Sequence, residues 1–466
     1  MGKKLNFSDL YAMGIGFTIG SAVFSLTGVA AMYTGGSTFL AYIAAAVAIL
    51  LMMFPVIIAG SVVPRQGVSY SLSQEAFNHS MGGFYFWIFL FGRVAMLANC
   101  TAFGIYFTSV FTTLNPLIVT GAIVLIFFVA NLFGLKAAAQ VQKIMNIVMF
   151  GAIILFIVMG AAKMNTVFVF NSENFARGAA GGFMSAVSLL VFSLGGGMAM
   201  LELGGVVEDA EKNLPKACVA VTMTVGVLFA GIGLATLGAL PIVPMPKGAA
   251  VPGTLLFKGP SSSVINAAQA IFQNSTPLLY LFIFGGACLA IATTVNGSFG
   301  WYSAAVVKAS KDGWFPKWFA KENKNGAPYR VYLIFVVATI IPLFFFGVDS
   351  IGTVNTNVIK TATNLQILAN IIPNFGLLSL PKLYPEIWEK SKWHMSNGTL
   401  KIVCFVPSIV AIILWCLNFK ELTTDIQITL AILFVVGALY AFIGGKTFAK
   451  EKKVQATPSN MNEKIS

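Results

Sequence analysis

The chain has 466 residues, 57% of them hydrophobic and only 10% charged, where soluble domains carry about 25% charged residues. With a mean hydropathy of +0.84 and 41 phenylalanines, a soluble enzyme of this length is excluded. The net charge of +13 raises nucleic acid as a partner, and the placement of the charges excludes it.

An apolar helix needs about 20 residues to cross a bilayer. In chain order, the uncharged run Leu10–Pro64 splits at "YTGGS" (Tyr33–Ser37) into two such spans, and Val94–Leu135 splits at "TTLNP" (Thr112–Pro116) into two more. Ile144–Ala162, Gly178–Leu201, Ala217–Pro246, Gly259–Val307, Val331–Val348, Thr361–Pro381, Ile402–Phe419 and Ile426–Gly445 bring the total to about twelve. Met1-Gly-Lys-Lys runs into the first span with no cleavage site, so no signal peptide is expected. The polar stretch Lys450–Ser466 reads as a disordered tail.

Twenty-two Lys and Arg residues fall in the loops on the side of the N-terminus, among them Lys3, Arg65, Lys143 and the run Lys308–Arg330. Five fall in the opposite loops: Lys163, Arg177, Lys247, Lys258 and Lys420. That is a positive-inside bias, and it puts both termini in the cytoplasm of a plasma-membrane protein. The basic charge is a topology signal rather than a nucleic-acid patch. The five cysteines lie in expected spans without metal-ligand spacing and read as small buried hydrophobes. His79 and His394 lie in loops and read as solvated. No phosphate loop, hydrolase elbow or metal motif appears, so ATP-driven pumping, hydrolysis and a bound cofactor have no support.

Helix-breaking glycines concentrate in two places. Span 1 has Gly14, Gly16 and Gly20; span 6 has the triplet Gly195–Gly197, followed by Gly204 and Gly205. Spans 1 and 6 are corresponding members of two five-span halves (approximately 8–163 and 178–381), with two extra helices over approximately 400–445. Glycine-interrupted segments at matching positions in two halves point to the central site of a secondary transporter. Simple close packing of small residues is the competing reading. At a break, freed N–H groups attract a carboxylate and freed carbonyls attract an ammonium. An α-amino acid offers both.

Three charges fall inside spans, where ions are costly and mark function by default. Glu202 follows the span 6 glycines and is a candidate proton site or counter-charge, against a structural acid facing the vestibule. Lys360 lies among Asn355, Asn357, Thr361, Thr363 and Asn364 and is a candidate gate charge or partner for an acidic substrate group, against a lysine snorkelling to the interface. Arg93, half-way along span 3, reads as structural.

Five segments resemble the amino acid–polyamine–organocation transporters, in that family's order. They are "IGSAVF" (Ile19–Phe24), "VPRQGVSYSLSQEAFNHSMGGFYFW" (Val63–Trp87), "NLFGLKAAAQVQ" (Asn131–Gln142), "VVEDAEKNLPKA" (Val206–Ala217) and "SKDGWFPKWFAKENKNGAPYR" (Ser310–Arg330). The resemblance covers nearly the whole chain. It implies an all-α fold of ten core spans in a 5+5 inverted repeat, with spans 1 and 6 broken, plus two further spans, working by alternating access. It implies a carboxylate site on the span 1 segment Ile19, Gly20, Ser21, Ala22 and Val23, with Ala22 where the family has a second glycine. It implies an ammonium site on Val191, Phe192, Ser193, Leu194 and Gly195 of span 6. The family's gating aromatic falls at Gly197 or Met198, which leaves Phe192 as a candidate substitute. Side-chain specificity would rest on Phe192, Leu194, Met198, Asn296, Ser298 and Trp301. The span 5 lysine of many proton-linked members is Met149 here, so uncoupled exchange becomes the more attractive mechanism. The expected function is amino acid exchange across the bilayer; a polyamine or amine carrier, or a proton-coupled symporter, is the alternative.

Overall fold

A computed structural model describes residues 4–240, 242–243, 254–255, 263–345, 347 and 351–447. Lys3, Lys247, Lys258 and the tail from Lys450 lie outside the described residues. The expected spans appear as helices in the expected order. Spans 1 and 6 are interrupted, and so is span 3. Span 1 is Phe7–Thr18 followed by Ser21–Thr34; span 2 is Thr38–Val62; span 3 is His79–Gly92 followed by Ala95–Thr108. Span 4 is Pro116–Asn131 and span 5 is Leu135–Ala162. Span 6 runs Ala179–Leu190, then a 3-10 stretch Val191–Leu194, then Gly197–Leu201. Span 7 is Ala210–Ala239, and span 8 runs from Thr276 to Lys311 through a π-helical stretch at Leu281–Cys288. Spans 9 to 12 are Tyr329–Leu343, Ile351–Asn374, Asn397–Lys420 and Thr424–Lys446. Among the described residues, eight stretches of helix are long and apolar enough to cross a membrane.

The composition of each span sets its place. In Ala179–Leu201 of span 6, 83% of the apolar window is buried inside the protein, against 22% in span 12. Span 12 instead presents Ile432, Val435, Leu439 and Phe442 outward, and span 5 presents Ile144 and Ile147. Such outward apolar faces are stable only against lipid. The first half of span 1 packs among spans 5, 7 and 8, and its second half packs against spans 3 and 6. Span 10 packs along span 3. The result is an all-α polytopic membrane fold with the interrupted spans at its centre.

Smaller elements were not marked in the sequence. A helix, Val68–Ala76, fills the segment between spans 2 and 3, and Ser263–Ile271 forms a separate short helix before span 8. Ile242–Val243 pairs antiparallel with Thr254–Leu255 as a two-residue ribbon. Two readings need correction. His79 is not solvated: it stacks on Trp314 with ring centres 5.0 Å apart, and its Nδ1 faces Gln74 Nε2 at 3.1 Å. Four cysteines are buried, but Cys416 is exposed on span 11, because that face of the helix turns outward.

The face of the bundle that carries the N-terminus is tied by polar contacts. Leu5 forms a parallel bridge with Val207: its N–H donates to Val206 O at 2.8 Å, and Glu208 N–H donates to Leu5 O at 2.9 Å. Arg65 donates two bonds to Glu75, at 2.6 and 2.7 Å, and the Tyr384 hydroxyl donates to the same carboxylate at 2.9 Å. Asp9 pairs with Lys143 at 2.5 Å, joining spans 1 and 5.

Candidate functional site

The span 1 interruption is two residues long. Ile19 (ψ 86°) and Gly20 (φ −120°, ψ −155°) leave the helical region, so the hydrogen-bond ladder stops at Thr18 and restarts at Ser21. Each side of such a break has backbone groups without an intrahelical partner, and neighbouring spans supply some. Thr294 Oγ1 on span 8 lies 2.7 Å from Gly16 O and 3.0 Å from Ile19 O, placed to donate to either carbonyl. Asn99 Oδ1 on span 3 accepts the Ser21 N–H at 2.9 Å, while Asn99 Nδ2 donates to Ala95 O. Both side chains crowd Gly20: a Cβ there would stand 2.8 Å from Thr294 Oγ1 and 2.9 Å from Asn99 Oδ1. Only glycine fits without a shift.

Span 6 is interrupted differently. Val191–Leu194 tightens to 3-10 geometry, and Gly195 and Gly196 keep right-handed angles (φ −74° and −64°). The glycines serve approach rather than unwinding. A Cβ on Gly196 would lie 2.3 Å from Thr18 Oγ1 and 2.6 Å from Thr18 Cα, so the two interruptions touch through it. Span 3 turns at Arg93–Val94 through i to i−3 bonds: Val94 N–H donates to Phe91 O and Leu97 N–H to Val94 O. Gly92 is the only sequence mark of it.

A cavity of about 50 Å³ lies where the three interrupted spans meet spans 8 and 10. That is room for on the order of three waters. Of the expected site residues, Gly20, Ala22, Phe192, Ser193, Gly195 and Trp301 line it. Ile19, Ser21, Val23, Val191, Leu194, Met198 and Ser298 are buried beside it rather than in its wall. Among these, Ile19 faces Thr294 and Ser21 faces Asn99, as above, and Ser298 Oγ donates to Thr294 O at 2.7 Å. The wall also contains Phe17, Thr18, Ala95, Asn99, Gly196, Thr294, Tyr302 and Gln366, none of which sequence reasoning placed in the site. No lining residue carries a charge. Trp301 is buried, and its Nε1–H has no partner among the described residues.

The two expected coupling residues lie outside the wall. Glu202 is buried below the span 6 interruption, where its Oε1 accepts the Ser69 N–H at 3.3 Å and its backbone carbonyl accepts the Gly67 N–H at 3.0 Å. It therefore caps the helix Val68–Ala76, whose Gly67 (φ 65°) brings no side-chain cap of its own. Lys360 is half-buried on span 10, six residues before Gln366, about 9 Å along a helix. Asn296, expected to shape specificity, instead joins an amide cluster with Asn131 of span 4 and Gln142 of span 5, at 2.9 and 3.1 Å.

Residues 5–462 match the family described as amino acid permease. The chain is 24% identical to the methylthioribose transporter of Bacillus subtilis, over 95% of this chain and 93% of that protein. It is 25% identical to a branched-chain amino acid permease of the same organism, over 81% of this chain and 78% of that protein. An uncharacterised protein of Methanocaldococcus jannaschii is 21% identical over 79% of this chain and 82% of its own length. A match of this extent, on a bundle whose spans are interrupted around a central cavity, shows that the chain belongs to the amino acid permease family: a multi-pass membrane transporter of small molecules, not an enzyme.

Proposed function

We propose that the protein carries neutral amino acids across the plasma membrane by exchange, with both termini in the cytoplasm. The observation that carries this reading is the uncharged cavity at the meeting of spans 1 and 6. The substrate's two charges would be met by backbone at the two interruptions, and its side chain by the rings of Phe17, Phe192, Trp301 and Tyr302. A side chain with its own charge would lie there unpaired, at a cost that such sites do not bear. A polyamine carrier would need an acid in the wall, and Glu202 lies outside it.

Exchange without a coupling ion is supported by the span 1 break. Its carbonyls at Gly16 and Ile19 face an uncharged hydroxyl, and Met149 of span 5 is a buried apolar residue. On this reading Glu202 is the cap of the helix Val68–Ala76 and Lys360 a gate charge, and neither is a ligand. The inverted relation of residues 8–163 and 178–381 supplies the two end states, one opening to each side of the membrane. A second reading, a neutral substrate without an amino acid's two charges, is favoured by Asn99, which already occupies the Ser21 N–H.

Counterflow in proteoliposomes tests both. Vesicles are loaded with each of the common amino acids, a pentose or a polyamine, and uptake of the same labelled compound is followed with and without a pH gradient. Uptake that requires an internal neutral amino acid and ignores the gradient is expected. Concentrative uptake into empty vesicles, driven by the gradient, would establish symport. Uptake of the pentose alone would establish the second reading.

A further inference from the structure

Arg93 stands directly behind the cavity wall. Its guanidinium carbon is 4.1 Å from the centre of the Phe89 ring, 4.6 Å from Trp301 and 4.4 Å from Tyr302. Its Nε donates to Phe89 O at 3.0 Å, and the residue is 6% exposed. Among the described residues no carboxylate lies within ion-pair distance of it. A buried cation without an ion pair is costly; the ring faces packed on it offset part of that cost, with Glu202 acting from beyond ion-pair distance. Two of its three rings, Trp301 and Tyr302, line the cavity; Phe89 and Arg93 do not. Trp301 and Tyr302 meet edge to face, with centres 4.4 Å apart at 63°, and Trp301 also approaches Phe17 at 6.3 Å.

We propose that Arg93 is a positioning residue: its planar guanidinium, seated at the turn in span 3, fixes the Trp301 and Tyr302 rings and thereby sets the size of substrate side chain that the cavity accepts. The turn is what makes this possible. At Arg93–Val94 the helix tightens and then restarts at Ala95, so the same short segment places Arg93 behind the wall and Ala95 and Asn99 in it. A lysine would keep the charge but present a compact ammonium in place of the plane that stacks on rings. A displacement of span 3 during the transport cycle would then move both rings with the guanidinium.

The selectivity half of this inference rests on the amino acid reading; the ring-positioning half does not, and the test separates them. The protein is labelled with 5-fluorotryptophan, the Trp301 resonance is assigned by Trp301→Phe, and its spectrum is compared in wild type, Arg93→Lys and Phe89→Leu. Phe89→Leu loosens the cage without touching the cavity and guards against a failure of Arg93→Lys to fold. Binding of alanine, leucine and phenylalanine to the same detergent-purified samples is measured in parallel. The expected result is a shifted or split Trp301 resonance in both variants, with the ratio of small to large side-chain affinities changed about tenfold, as for loss of a desolvated cation–π contact. An unchanged Trp301 resonance in both overturns the proposal whether or not any amino acid binds. A shifted resonance with wild-type affinity ratios overturns the selectivity half. Failure of wild type to bind any amino acid, with the resonance still shifted, supports ring positioning and counts against the amino acid reading instead.

Discussion

The interruptions of spans 1 and 6 meet at Gly196 and Thr18, yet they are built on opposite plans. Span 1 opens fully, with two non-helical residues, and side chains from other spans stabilise the gap: Thr294 from span 8 and Asn99 from span 3. Span 6 never leaves right-handed geometry and relies mainly on its own short-range turns, with one thiol contact from span 7 (Cys218 Sγ to Gly197 O, 3.6 Å) and with glycine removing the bulk that would keep it from span 1. One break is held from outside, the other from within. A break held from outside moves with the spans that hold it, so span 1 is coupled to spans 3 and 8. A break held from within can bend on its own.

Four substitutions would break or sharpen that contrast. The largest effect is expected from Gly196→Val, whose Cβ must displace Thr18 backbone. A misplacement near 1 Å at a working site costs about 100-fold, so uptake per reconstituted protein should fall by at least that order. Gly181→Val in the same span, with nothing within 4 Å of its added Cβ, is the matched control and should transport normally. Equal losses in both would mean that span 6 needs flexibility rather than proximity.

Next is Thr294→Val, which leaves the Gly16 and Ile19 carbonyls without the hydroxyl. With an unsatisfied buried group costing about 1–3 kcal/mol, transport should drop roughly tenfold and thermal stability in detergent should fall measurably. Thr294→Ser should restore both, and a failure to do so would assign the effect to lost packing.

A smaller, opposite change is expected from Asn99→Ala. Freeing the Ser21 N–H should tighten binding of carboxylate substrates about threefold to tenfold, the value of a competing neutral hydrogen bond. The corresponding amino acid amides should gain much less. Equal gains for acids and amides would mean that span 1 does not receive the carboxylate.

Least of all is expected from Glu202→Gln, since a glutamine oxygen can still accept the Ser69 N–H. Uptake should stay within about twofold of wild type, under 0.5 kcal/mol, with an unchanged pH profile. A flattened profile would make Glu202 a proton site and return symport to consideration.

The positions of the interruptions in spans 1 and 6 were legible because glycine is unfavourable inside helices and stands out in an apolar run. Their opposite construction was not, because it depends on which side chains of spans 3 and 8 reach them. The same limit explains the cavity wall. Thr294 and Gln366 stand among other polar residues of their spans, Thr293, Asn296 and Ser298 beside one and Thr363, Asn364 and Asn370 beside the other, and nothing in the sequence separates those that turn to the cavity from those that bond their own helix, as Asn99 does as well. Charge drew attention to Lys360, six residues from the wall-lining Gln366. Arg93 was visible as an ion in a span, but its three rings lie on spans 3 and 8, and no spacing in the sequence relates the two spans.

The Leu5–Val207 bridge carries a practical consequence. Leu5 is stitched on both sides to the segment that leaves span 6, so chain added just ahead of it would pull on that segment. A purification tag, a fluorescent fusion or a surface tether belongs after Lys446, where span 12 faces lipid and holds no part of the cavity.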